Sequence, residues 1–204
     1  MKKYFLIFFI FFFQVLSQDN NITLCNDHFM TSYLRDYVVW YHNQKRLSLS
    51  TKNTCLPIAK KLNELTYDCN LENTAVNASM SCKLELYDDD EIGENLYMGN
   101  NALDYIYNVN DALERWWTQH INLESIYFNH THNILNFGQM AWADSLRVGC
   151  AVKTCNTKTL FICHYQPRGN IVGEPIYNIE TQCSNGTNCK SFNGNFCNNI
   201  TGYC

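Results

Sequence analysis

The chain has 204 residues, a formal net charge of −4 and eleven cysteines, with aromatic residues at 14%. A mildly acidic chain lacks the basic surface that nucleic acid or an anionic membrane requires, so neither is expected as a partner. This cysteine content argues against a reducing cytosol and for a disulfide framework in an oxidising compartment.

The N-terminus sets the expected route. Lys2 and Lys3 precede an unbroken apolar run, Tyr4 to Phe13, and Val15-Leu16-Ser17 follows with small or apolar residues. This is the layout of a signal peptide cleaved after Ser17. The run is too short to span a bilayer, which takes roughly 20 apolar residues. Of 15 basic residues, Lys2 and Lys3 leave with the signal, so 13 face 19 acidic ones and the mature net charge is −6.

Apolar spacings of three and four predict an amphipathic helix from Phe29 to Arg46, with Met30, Leu34, Tyr37, Val38 and Tyr41 on one side and Asp27 as N-cap. A second helix is expected from Pro57 to about Leu65, with proline in its first turn, and a third from Leu71 to Cys82. Asp88-Asp89-Asp90-Glu91 reads as a solvated loop, since no ligand spacing accompanies it. Another helix is predicted from Asp104 to about Glu124, with Ala112, Leu113, Trp116 and Trp117 as its apolar face. Leu146 to Val152 and Leu160 to Tyr165 are rich in β-branched and aromatic residues and read as a buried hairpin, broken after Pro167. Beyond about Glu180, Asn, Gly, Thr and Ser dominate and cysteines crowd, so the tail is expected to be held by cross-links rather than a core.

Five Asn-x-Ser/Thr sites, at Asn21, Asn77, Asn129, Asn185 and Asn199, are candidate glycan acceptors in a secreted chain. No Cys-x-x-Cys pair suggests structural zinc. No Gly-x-Ser-x-Gly stretch offers a serine nucleophile, and no enzyme activity is expected.

Several stretches together resemble one family. Gly93-Glu94-Asn95-Leu96, the segment Asn136 to Val152 with its Gly149-Cys150, the segment Phe161 to Ile171 with its Cys-x-Tyr-x-Pro-x-Gly-Asn core, His42-Asn43 with Arg46, and Trp116-Trp117 all match motifs of the CAP superfamily of cysteine-rich secretory, antigen 5 and pathogenesis-related proteins. The tail further resembles nematode activation-associated secreted and venom-allergen-like proteins. The resemblance implies an α+β, three-layer α-β-α sandwich over residues 18–178, between a signal peptide at 1–17 and a cystine-rich tail at 179–204.

The family often holds a divalent metal between two His and two Glu. Carried over position by position, Glu94 is retained, the second acid falls on Gln119, one His on Asn136 and the other near Leu86. Amides are poor zinc ligands beside imidazole and carboxylate, so no metal and no cofactor are expected. His120, His130 and His132 are weak substitutes, and His42 and His164 are expected to be structural. Glu94 is expected to bond backbone N–H groups and Gln119 or Asn136.

Ten cysteines match family positions: Cys25, Cys69, Cys82, Cys150, Cys155, Cys163, Cys183, Cys189, Cys197 and Cys204. Cys55 is then the candidate odd thiol, free or linking two chains as a homodimer. The implied function is a non-enzymatic secreted effector that binds an extracellular or host protein receptor. Family members also bind sterols or fatty acids, which is the alternative.

Overall fold

A computed structural model describes residue 25 and residues 29–51, 56–60, 62–87, 89–100, 104–129 and 132–180. Among these residues, four α-helices and four strands follow one another as α1 Ser32–Leu49, β1 Thr66–Tyr67, α2 Cys69–Ser79, β2 Gly93–Gly99, α3 Tyr105–Thr118, α4 Leu135–Ala141, β3 Arg147–Cys155 and β4 Lys158–Gln166. The sheet order is β1-β3-β4-β2, with the β3–β4 hairpin at its centre and only β1 parallel to its neighbour.

Side chains alternate across the hairpin and divide the core in two. Val148, Cys150, Val152, Phe161, Cys163 and Tyr165 enter the cluster shared with α1, α3 and α4. Ala151, Cys155, Leu160 and Ile162 pack against Ala75 of α2. One helix therefore covers one face of the sheet and three cover the other, which is the expected α-β-α sandwich. Gly149 permits the closeness of the first contact. A Cβ there would lie 2.3 Å from the Glu72 nitrogen and 2.4 Å from the Asp68 oxygen, both at the start of α2.

The helix ends follow local chemistry. Thr31 caps α1 by accepting from the Leu34 N–H, while Asp27 lies outside the described residues. Asp68 accepts from the Asn70 and Leu71 N–H groups, so α2 begins at Cys69, earlier than its apolar spacing suggests. Asp104 caps α3, which ends at Thr118 and tightens into a 3-10 turn over Gln119–Asn122.

The helix expected over Pro57 to Leu65 does not form. Ala59 instead bridges Ile179 in antiparallel fashion, with Lys60 N–H donating to Asn178 O and Glu180 N–H to Ile58 O, each at 2.8 Å. A backbone that exchanges bonds with a distant segment has none left for a helical turn. Gly93–Gly99, read only as a motif, is the edge strand beside β4.

Three disulfides lie among the described residues: Cys25–Cys69, Cys82–Cys155 and Cys150–Cys163. The first ties the lead-in of α1 to α2, the second ties the end of α2 to the end of β3, and the third joins partners across the hairpin. Cys55, Cys183, Cys189, Cys197 and Cys204 lie outside the described residues, as do Asn21, Asn185 and Asn199. Asn77 and Asn129 are exposed.

Candidate functional site

The motif residues gather into two buried polar clusters, one on each face of the sheet. On the α2 face, Glu94 and His164 sit opposite each other on β2 and β4. His164 Nε2 lies 2.9 Å from Glu94 Oε2, and the two side chains are 0% and 4% exposed. Tyr87 N–H donates to the other carboxylate oxygen at 3.0 Å, and the Tyr87 ring covers the imidazole with centroids 4.7 Å apart. On its far side, His164 Nδ1 lies 2.7 Å from Thr74 Oγ1.

This corrects part of the expectation for Glu94. A backbone N–H does reach it, but its side-chain partner is His164, not Gln119 or Asn136. Strand alternation explains the difference: Glu94 points to the α2 face, and Asn95 beside it points to the opposite one.

Thr74, His164 and Glu94 are residue types that a hydrolase could use as nucleophile, base and orienter. The imidazole is wholly buried, and the Thr74 hydroxyl also donates to the Leu71 carbonyl at 2.8 Å.

On the helix-rich face, a chain of bonds crosses four elements. His42 Nδ1 lies 2.7 Å from the Val38 carbonyl, and its Nε2 lies 2.9 Å from Tyr165 Oη. Asn95 Nδ2 donates to Tyr165 Oη at 3.3 Å and to the Asn136 carbonyl at 3.0 Å. One assignment satisfies all of these: His42 carries its proton on Nδ1 and accepts the Tyr165 proton at Nε2. Burial supports the neutral ring, lowering the His42 pKa to about 4, and the nearby Arg46 charge adds to the effect. Burial also raises the Tyr165 pKa well above its ordinary value.

Arg46, from the same helical motif, is 2% exposed. Its guanidinium donates to the carbonyls of Asn63, Met140, Trp142, Ala143 and Ser145. Desolvation lowers its pKa to about 10. Its role is to hold α1 against the end of α4 and the turn into β3.

The remaining cavity positions are committed to local bonds. Gln119 Oε1 accepts from the Asn136 N–H at 2.8 Å and the Phe137 N–H at 3.2 Å, satisfying the open start of α4. His120 Nδ1 bonds the Trp117 carbonyl, and its ring packs beside Trp117 and Phe137. Leu86 is 82% exposed on the loop before β2. His130 and the His132 side chain lie outside the described residues. Among the described residues, no group of three His, Cys, Asp or Glu is placed to hold a metal ion. The donor set that can be described does not fit a zinc site: one carboxylate already paired with a buried imidazole, and two amide residues.

Sequence reasoning missed His164 as the partner of Glu94. The two are 70 positions apart, so only strand register could have joined them.

Residues 39–165 match the family profile described as the Cysteine-rich secretory protein family, CAP. The chain belongs to this family, whose extracellular character fits the disulfides. Ancylostoma secreted protein of Ancylostoma caninum is 28% identical over 188 residues, which cover 81% of this chain and 44% of that protein. The chain thus spans less than half the length of that relative. The solved structure of Hookworm platelet inhibitor superposes with a TM-score of 0.65 at 26% identity, over 78% of this chain and 82% of the other. The structure of NaASP2 with Zn²⁺ superposes with a TM-score of 0.71 at 24% identity, over 78% and 93%, and supports the fold. No helix among the described residues is long and apolar enough to cross a membrane.

Proposed function

We propose that this chain is a secreted, non-enzymatic CAP-domain effector that binds an extracellular protein, and that it binds no zinc in the family's cavity. The observation that carries this reading is the filled state of the motif positions. Glu94 is closed by His164 and Tyr87, and the Gln119 carbonyl oxygen by two N–H groups of α4. Groups already satisfied inside the protein offer little to a metal or substrate, which leaves the outer surface as the site of action.

The signal peptide read from the N-terminal sequence and the exposed sequons at Asn77 and Asn129 support the secreted part of this reading. The relative named Hookworm platelet inhibitor 1, of Ancylostoma caninum, suggests blood cells as a first target to try. The test is binding of purified, labelled protein to platelets, leukocytes and immobilised serum proteins. Saturable capture by a protein component is expected; its complete absence on every surface overturns the reading. A sterol and fatty-acid pull-down at micromolar concentration separates the lipid-carrier alternative, since stoichiometric lipid uptake without protein capture favours it.

A further inference from the structure

Helix α1 buries Leu34, Val38, Tyr41 and His42 and carries a ladder of rings on its outer side. Tyr33, Tyr37 and Trp40 recur at spacings of four and three, which brings them onto one face. The Tyr33 and Tyr37 rings stack with centroids 6.3 Å apart and planes 5° apart. Tyr37 and Trp40 follow at 5.8 Å and 26°. Tyr33 is 59% exposed and Trp40 56%. The ladder is held in place at its centre, where Tyr37 Oη donates to Asn110 Oδ1 of α3 at 2.5 Å. Rings fixed before binding lose little conformational entropy when a partner arrives.

Two observations define the partner's chemistry. Aromatic faces carry partial negative charge, and Asp36 lies in the same stripe, exposed and in no ion pair with any described residue. The surface is therefore complementary to positive charge. Such a contact already occurs within the protein nearby, where Lys45 of the same helix places its Nζ 5.0 Å from the Tyr41 centroid and 5.9 Å from that of Trp117 on α3. Tyr33 and Trp40 offer the same kind of face to solvent.

Resting on the proposed protein-binding function, we infer that this face of α1 docks a basic segment of the partner, with an arginine laid on Trp40 and its guanidinium against Asp36. A planar guanidinium stacks on an aromatic face and pairs with a carboxylate in two-pronged fashion, which an ammonium does not.

The test titrates the full secreted chain with a capped tetra-arginine peptide and its tetra-citrulline counterpart in low salt, following the Trp40 indole N–H resonance. The arginine peptide is expected to shift that signal and the citrulline peptide to leave it in place. Trp40→Ala, read through neighbouring backbone amides, weakens binding about tenfold, and Asp36→Asn about threefold. Glu124→Gln, which removes an exposed charge elsewhere, leaves binding unchanged. Equal binding of citrulline, equal loss from Glu124→Gln, or Trp40-dependent self-association in sedimentation overturns the inference. If the unaltered chain and Trp40→Ala capture cell-surface protein equally, the inference fails and the proposed function stands. If no surface captures the unaltered chain, the proposed function itself fails.

Discussion

Glu94 shows how a charged side chain survives in a packed interior. The carboxylate is almost fully shielded, yet one oxygen meets His164 and the other the Tyr87 N–H. Removing it strands both partners, and an unpaired buried group costs more than the bond itself returned. Glu94→Ala is expected to lower unfolding free energy by about 1–3 kcal/mol in urea titration. A double-mutant cycle with His164→Ala should give a clear coupling energy, because each change already spoils the other's environment. An unchanged melting temperature in Glu94→Ala would show that the pair is incidental. Arg46 has greater consequences: Arg46→Met leaves carbonyls of α4 and the following turn without donors. A loss of about 3 kcal/mol or more is expected, measurable as a shift of the urea midpoint.

Between elements, the bonds from His42 through Tyr165 and Asn95 to the Asn136 carbonyl join α1, β4, β2 and α4. This array makes stability depend on pH. The imidazole titrates near 6.5 in the unfolded chain and at about 4 when buried, with Arg46 the charged group facing it. Between those values the unfolded chain binds more protons than the folded one, so stability rises with pH across that window and His42 contributes nothing further below it. The full span corresponds to about 3 kcal/mol. Unfolding curves at pH 4.5 and 7 should therefore differ less in His42→Gln than in the unaltered protein, and identical differences would remove His42 as the cause. The contact of α2 with β3 is equally specific. Gly149→Val drives side-chain atoms into the backbone of α2, where nothing can rotate aside. The variant is expected to lose several kcal/mol or fail to fold, because overpacking against backbone cannot be relieved.

Covalent links govern the molecule as a whole. Cys82 and Cys155 are 73 positions apart, and their bridge fastens α2 to the end of the central strand. Closing a span of that length restricts the unfolded chain by up to about 4 kcal/mol, reduced here by the other bridges. Replacing both cysteines with alanine should lower the melting temperature without altering the far-ultraviolet circular dichroism. Metal content belongs to the same scale. Protein purified without chelator and assayed by elemental mass spectrometry is expected to carry zinc well below one equivalent. Stoichiometric zinc lost in Glu94→Ala would overturn the reading of the cleft. Peptide mapping without reduction would assign Cys55 and test for glycans at Asn77 and Asn129.

The sequence by itself determined the class of this protein, because its motifs are dense in groups with few alternatives. Paired tryptophans, a cysteine within each of two buried strand motifs, and Arg46 one turn beyond His42 suffice for the family and its sandwich. It also determined which cavity positions carry amides, since residue identity alone sets ligand chemistry. Tertiary structure decided what those residues touch. Strand pairing put His164, not Gln119, against Glu94, and a return of the chain near Ile179 drew Ala59 out of any helix. Both contacts join segments far apart in the chain, and propensity or spacing within one segment carries no information about such register.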